Sequence, residues 1–392
     1  MSAVSLFSGI GGLELGLEQY GFETELFCEV DPAAAAVLDN WFPEVPLHGD
    51  VQTLKALPPC EILTAGFPCQ DLSLAGSKAG LQGHRSSLVS EVFRLLRTTR
   101  RKPQWLLFEN VPYMLLLDRG SGMAALADAL EAAGYIWAYR VVDARSFGLP
   151  QRRQRVMLLA SRKEDPRQVL FADECATDHI EARPSRVAIG PAYGFYWTMG
   201  KMGAGWAREA TPPIKGGSGL GIPSPPAIWL SADDFVGTPQ IEDAERLQGF
   251  ASGWTEPVLN EPTLRSSARW RLIGNAVCPP MAEWVASRLA NPGMHDSSRD
   301  AALSGPRWPK AAWGVKGQRR AVRISDWPLG TPAPSLEAFL SSPLKPLSVR
   351  AARGFRSRAL ESKEIAWAPE FIESLRIYIS RAEKSERSAF AA

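Results

Sequence analysis

Over residues 1–165, short apolar runs alternate with stretches of helical spacing, and this alternation limits the fold more than any other feature of the chain. "AVSLF" leads through "SGIGG" into "LELGLEQY", which stops at Gly21, and "TELFCEV" follows. "DPAAAAVLDNWF" places Asp31 as an N-cap and Pro32 at the first helical position, a strong helix start. "EILTAGF" and "QWLLFENV" read as buried strands, and "GMAALADALEAAGY" is an amphipathic helix ahead of "WAYRVVDA". The pattern predicts a parallel, doubly wound α/β sheet with crossover connections. Such sheets bind ligands beyond the carboxyl ends of their strands, so functional side chains are expected there.

Several strand ends carry unusual residues. "FSGIGG" has glycines that let a turn pass close to a ligand, with a helix N-terminus behind them. Glu29 in "EVDP" lies 20 residues after Gly9, the spacing of an acid that accepts from ribose hydroxyls. Asp50 in "HGDV" is placed to accept from an adenine amino group. The incomplete G-x-G-x-x-G pattern argues against NAD. Cys69 in "GFPCQDLS" is either a nucleophile or a packed thiol. Glu109 in "FENVP" is either a buried acid of raised pKa or a helix cap, and "QRRQR" (151–155) is either a functional arginine cluster or a solvated turn. Their concurrence at predicted strand ends favours function.

The five cysteines (28, 60, 69, 175, 278) form no C-x-x-C pair, and there are four histidines. Neither a disulfide framework nor a zinc site is expected, and a reducing, cytoplasmic setting fits. No apolar run reaches the ~18 residues of a membrane span, and the N-terminus has no secretory pattern. Charge is uneven: residues 1–291 carry 27 basic and 32 acidic side chains, residues 292–392 carry 17 and 10. That asymmetry points to an anionic partner near the C-terminal part or to a solvated basic tail.

Taken in order, "LFSGIGGLELGLE", "EVDP", "GD", "GFPCQDLS", "FENV", "FGLPQRRQRV", "AERLQGF" and "RLIGNAV" resemble the motif series of the DNA cytosine-5 methyltransferases, in that family's usual linear order. The resemblance implies a Rossmann-like methyltransferase sheet in residues 1–165, completed by 268–291. A smaller, irregular target-recognition domain would occupy 166–267, and 292–392 would be a C-terminal extension of open role. It implies S-adenosylmethionine as methyl donor and no metal. Phe7, Gly9, Gly11 and Gly12 would line the donor's methionine and adenosine portions. Glu29 would take the ribose hydroxyls, Val30 the adenine face and Asp50 the adenine amino group. Val51, Pro68, Leu88, Asn275 and Val277 would complete that pocket.

By the same resemblance, Cys69 would add to C6 of a flipped-out cytosine in duplex DNA. Glu109 would hydrogen-bond N3 and the exocyclic amine, Arg155 would engage O2, and Arg153 would support the pocket. Gln70, Ser73 and Arg85 fall in the family's DNA-closing loop. A monomer is implied, with a cognate restriction endonuclease as a possible companion. Departures are Gln154, where many relatives have glutamate, Ala65 in place of a commoner glycine, and Cys278, read as structural. The rivals are an RNA cytosine-5 methyltransferase on the same scaffold and a silent DNA-binding regulator. The latter would usually have lost the thiol or the acid. For the basic extension, phosphate contacts and packing on the catalytic domain are both open; its last segment, with Phe371, Leu375, Tyr378 and Ile379 in register, predicts a short helix.

Overall fold

The computed structural model describes residues 1–68, 88–175, 183–198, 203–216, 223–305 and 307–391, the last three as backbone only. The first layer follows the predicted alternation, with α3 a helix the sequence reading did not include: β1 (Ser2–Leu6), α1 (Gly12–Glu18), β2 (Glu23–Cys28), α2 (Pro32–Trp41), β3 (Leu47–His48), β4 (Ile62–Ala65), α3 (Leu88–Thr98), β5 (Trp105–Asn110), α4 (Ser121–Ala132), β6 (Ile136–Asp143) and β7 (Gln154–Ser161). Asp31 caps α2 as its sequence predicts, its carboxylate accepting from Ala33 N at 3.0 Å. Strands β4 and β5 are buried along their whole length, as apolar runs covered on both faces must be.

The sheet is not parallel throughout. β3-β2-β1-β4-β5 run parallel, but β7 lies antiparallel between β5 and β6. The reason is the connection: residues 144–153 return directly from β6 to β7 without a crossover helix, and such a return reverses the strand. α3 and α4 pack on one face of the sheet, while α1 and α8 (below) cover the other.

After β7 come α5 (Arg167–Leu170), β8 (Ala192–Phe195), β9 (Ala207–Arg208), β10 (Ala227–Leu230), β11 (Phe235–Thr238), α6 (Ile241–Leu247), α7 (Ala268–Asn275) and α8 (Pro279–Ala290). The stretch read as irregular thus contains an antiparallel sheet, whose strands are too short to give a clear sequence period. α8 crosses α1 so closely that a Cβ on Gly16 would lie 2.4 Å from Glu283 N and 2.6 Å from Pro279 O. Those are backbone atoms and cannot swing aside. Gly16→Leu is therefore expected to cost about 1–3 kcal/mol or more through overpacking. An unchanged unfolding midpoint in denaturant would contradict this contact.

The described residues between 292 and 388 form folded elements that pack on the rest of the chain and are not a solvated tail. They supply β12 (Asp300–Ala302), β13 (Ala311–Val315), β14 (Gln318–Val322), α9 (Leu336–Phe339), β15 (Lys345–Pro346), α10 (Val349–Glu361) and α11 (Pro369–Ala391). β13 pairs antiparallel with β6, and β14 and β12 follow, so among the described residues the main sheet has ten strands, ordered β12-β14-β13-β6-β7-β5-β4-β1-β2-β3. β15 pairs with β11, giving the small sheet the order β15-β11-β10-β8-β9. α10 and α11 then cover it, setting Phe355, Phe371 and Leu375 against Tyr193, Phe195, Trp206 and Trp229. Trp229 Nε1 donates to Ser374 Oγ at 2.7 Å within this core. The predicted terminal helix is present but spans 23 residues.

Candidate active site

The glycine-bearing turn after β1 is held from two sides. Ser8 N donates to Cys28 O at 3.2 Å and Cys28 N donates to Ser8 Oγ at 3.1 Å, fastening the turn to the end of β2. Glu29 accepts from Gly9 N through one oxygen and from Asp31 N through the other, both at 2.8 Å. Burial pushes the Glu29 carboxyl above its ordinary value, and these backbone donors pull it back in part. Phe7 sits in the left-handed region at φ 55°, a strained conformation for a bulky residue. Gly12 is required by close approach, because a Cβ there would lie 2.3 Å from Val277 O.

That approach closes a cavity. Its lining includes Ser5, Phe7, Gly9, Gly12, Gly66, Glu109, Asn275 and Val277, so residues from both ends of the first domain meet in one place. The other described candidates, Gly11 among them, are not part of its lining. Asp50 accepts from Gln52 N at 2.9 Å in the turn after β3, and Val30 is 73% exposed. Val51 and Leu88 pack into the apolar layer beside α3, and Pro68 is exposed. Cys69, Gln70, Ser73 and Arg85 lie outside the described residues.

Glu109, at the carboxyl end of β5, forms an ion pair with Arg155 of β7, Oε1 to Nε at 2.8 Å. Burial raises the carboxyl above its ordinary range, outweighing the pull of Arg155 and Arg153. Arg153 is turned away toward the chain near α7: its Nη2 donates to Gly274 O at 3.1 Å and Ala276 O at 2.7 Å. Its remaining nitrogens, Nε and Nη1, are buried with no hydrogen-bond partner among the described residues, and burial lowers its pKa to about 10. Arg155 thus addresses Glu109, whereas Arg153 holds the 274–277 turn that roofs the cavity. Asn110 donates to Phe67 O at 2.9 Å, fixing the chain just ahead of Cys69.

Sequence reasoning passed over two buried amides. Gln151 donates to Leu247 O and to Gln248 Oε1 and accepts from Ile214 N; Gln248 donates to Ala276 O. Together they tie the arginine turn to the small-sheet region and to the cavity roof. Both stand inside quoted motifs, but a neutral amide carries no charge or nucleophile to mark it. Tyr196 is a third addition. Its ring lies 3.6 Å from Lys215 Nζ, and burial pushes its hydroxyl to about 12 despite the nearby arginines. Cys278 is fully buried and its thiol is pushed to about 11 by desolvation. Among the described residues no group of three His, Cys, Asp or Glu is arranged to hold a metal.

Residues 1–186 match the family described as C-5 cytosine-specific DNA methylase. Over 378 residues the chain is 50% identical to the type II methyltransferase M2.BsuMI of Bacillus subtilis strain 168, covering 96% of this chain and 97% of that one. The chain belongs to the C-5 cytosine-specific DNA methylases. It is 30% identical over 315 residues to the type II methyltransferase M.NlaX of Neisseria lactamica, covering 73% of the chain and 95% of the relative. The crystal structure of S. pombe Dnmt2 methyltransferase shares the fold at a TM-score of 0.54 and 15% identity, over 74% of this methylase and 98% of that chain. The 96% coverage of the Bacillus match carries it through most of the methylase's extension as well. This methylase is therefore a DNA cytosine-5 methyltransferase.

Proposed function

We propose that this methyltransferase acts on C5 of one cytosine within a short, specific duplex sequence, using S-adenosylmethionine and a covalent bond between Cys69 and C6. The observation that carries the reading is Glu109, paired with Arg155 and set in the wall of the cavity formed by the glycine turn and the 274–277 turn.

The residues present fit the donor. Space opens where a side chain on Gly9 would project, and each Glu29 oxygen keeps a lone pair beyond its one backbone donor. Phe7, Gly9, Gly11, Gly12, Asn275 and Val277 would hold its methionine and adenosine portions and Glu29 its ribose. Val30, Asp50, Val51, Pro68 and Leu88 would surround the adenine end. When bound, S-adenosylmethionine supplies an electrophilic methyl group on a sulfonium centre.

The chain's own task is to make cytosine a nucleophile. The Cys69 thiolate forms the S–C6 bond, and the C5=C6 electron pair moves to make C5 electron-rich. Glu109, protonated, donates to N3 through one oxygen and accepts from the exocyclic amine through the other; Arg155 binds O2. With C5 bonded to the methyl group, and the electron pair of the broken C–S bond left on the donor's sulfur, departure of the C5 proton to water re-forms the C5=C6 bond and expels the thiolate. The base must leave the stack first, at a cost of a few kcal/mol. Gln70, Ser73 and Arg85 would contact the DNA, and the small-sheet region would read its sequence. The enzyme would work as a cytoplasmic monomer, beside a cognate restriction endonuclease. No described helix is long and apolar enough to cross a membrane.

Bisulfite sequencing of DNA from cells expressing the protein, beside a Cys69→Ala control, tests this. Protected cytosines confined to one short motif and absent from the control are expected. Equal protection in both samples, or none with soluble protein, would overturn the reading.

A further inference from the structure

We infer that residues 325–331 of the extension form a strap that positions the arginine-bearing turn of the active site, with Asp326 as its positioning residue. The inference rests on the reading that Glu109 and Arg155 hold the cytosine. Arg153 ends the connection 144–153 and Arg155 follows it in β7, and the strap is bonded to that connection. Asp143 N donates to Asp326 O at 2.9 Å. Ser146, fully buried, donates from Oγ to Leu329 O at 2.7 Å, accepts from Leu329 N at 3.0 Å, and takes Thr331 N on its carbonyl at 3.2 Å. The base of the strap is pinned where buried Arg140 Nε donates to Ser325 O at 2.9 Å. The link nearest the chemistry is Gln154, between the two arginines, whose amide donates to the Asp326 carboxylate. Lys310 Nζ holds the same oxygen at 3.1 Å.

A donor is required at 154 because its partner is a carboxylate. Backbone and side-chain bonds therefore make the connection and the strap one unit, and a loss at Asp326 reaches Arg155 through the adjacent residue. A shift of about 1 Å in a positioning group costs up to ~100-fold in rate.

The test compares full-length wild type, Asp326→Ala, Gln154→Glu and the double variant Q154E/D326N in steady-state methyl transfer to DNA carrying the recognition motif, with Arg155→Ala alongside. Q154E/D326N keeps shape and net charge but exchanges donor and acceptor. Asp326→Ala and Gln154→Glu are expected to lower kcat by about tenfold or more, with KM for S-adenosylmethionine unchanged within about twofold. Q154E/D326N should recover most of the loss, which a merely structural role would not produce. Wild-type kcat in Asp326→Ala and Gln154→Glu beside an impaired Arg155→Ala overturns the inference alone, as does a double variant no better than Gln154→Glu. Wild-type kcat in Arg155→Ala removes the underlying reading, and the inference with it.

Discussion

Glu109→Gln is expected to lower kcat by about 10²–10⁴-fold, the usual contribution of a positioned general acid. The variant keeps the size of the side chain and its capacity to hydrogen-bond but cannot pass a proton to N3, so KM for S-adenosylmethionine should stay close to wild type. The pH dependence has a definite sign. Burial raises the Glu109 pKa, so the carboxyl keeps its proton to higher pH than an ordinary glutamate. In the proposed mechanism the protonated form is the donor, so the wild-type rate should fall as pH rises through that raised value. The same limb should be missing from the Glu109→Gln enzyme. Steady-state rates across pH for both proteins check this, and wild-type kcat in the variant would refute the acid role.

Truncation after residue 291 is expected to abolish cooperative folding of the small-sheet layer and with it soluble, active enzyme. α10 and α11 are the second half of an aromatic core whose first half is Tyr193, Phe195, Trp206 and Trp229. Phe371 is fully buried there, and Phe371→Ala alone should cost about 3–5 kcal/mol. A domain's whole stability is only about 5–15 kcal/mol, so deleting both helices leaves that sheet without a viable core. The same cut uncovers the β6 and β11 edges, where unpaired strands invite aggregation. Solubility and thermal unfolding of the truncated chain and of Phe371→Ala would measure both effects. A soluble 1–291 fragment that melts like the full chain would contradict this account.

The charge asymmetry has part of its explanation in the same packing. Arg319 pairs with Asp128 and Glu131 of α4, and Arg353 and Arg376 pair with Glu383 and Glu373 of α11. These basic residues of the extension are engaged within the molecule. A salt slope measured on a truncated chain would therefore report loss of fold along with any loss of phosphate contacts.

Local physics made much of the first domain legible. Asp31 and Pro32 announce α2, apolar runs announce β4 and β5, and the strand-end rule picked out Glu29 and Glu109 before any contact was known. The chemistry-bearing residue types were visible because charge and nucleophilicity are properties of single side chains. Their partners were not. Gln151, Gln248 and Asp326 matter through bonds to residues far away in sequence, and no local pattern encodes those bonds.

The sequence by itself determined the order of strands and helices in the catalytic layer, α3 excepted, and the membership of its motifs, because both depend on neighbours within a few turns of chain. Only the tertiary structure decided that β7 runs against its neighbours and that β13 extends the sheet at β6. It also decided that a strap from the extension lies against the arginine turn. Edge pairing and core closure join segments such as Tyr139 and Pro309, 170 residues apart, and their free energy exists only once the chain has brought them together.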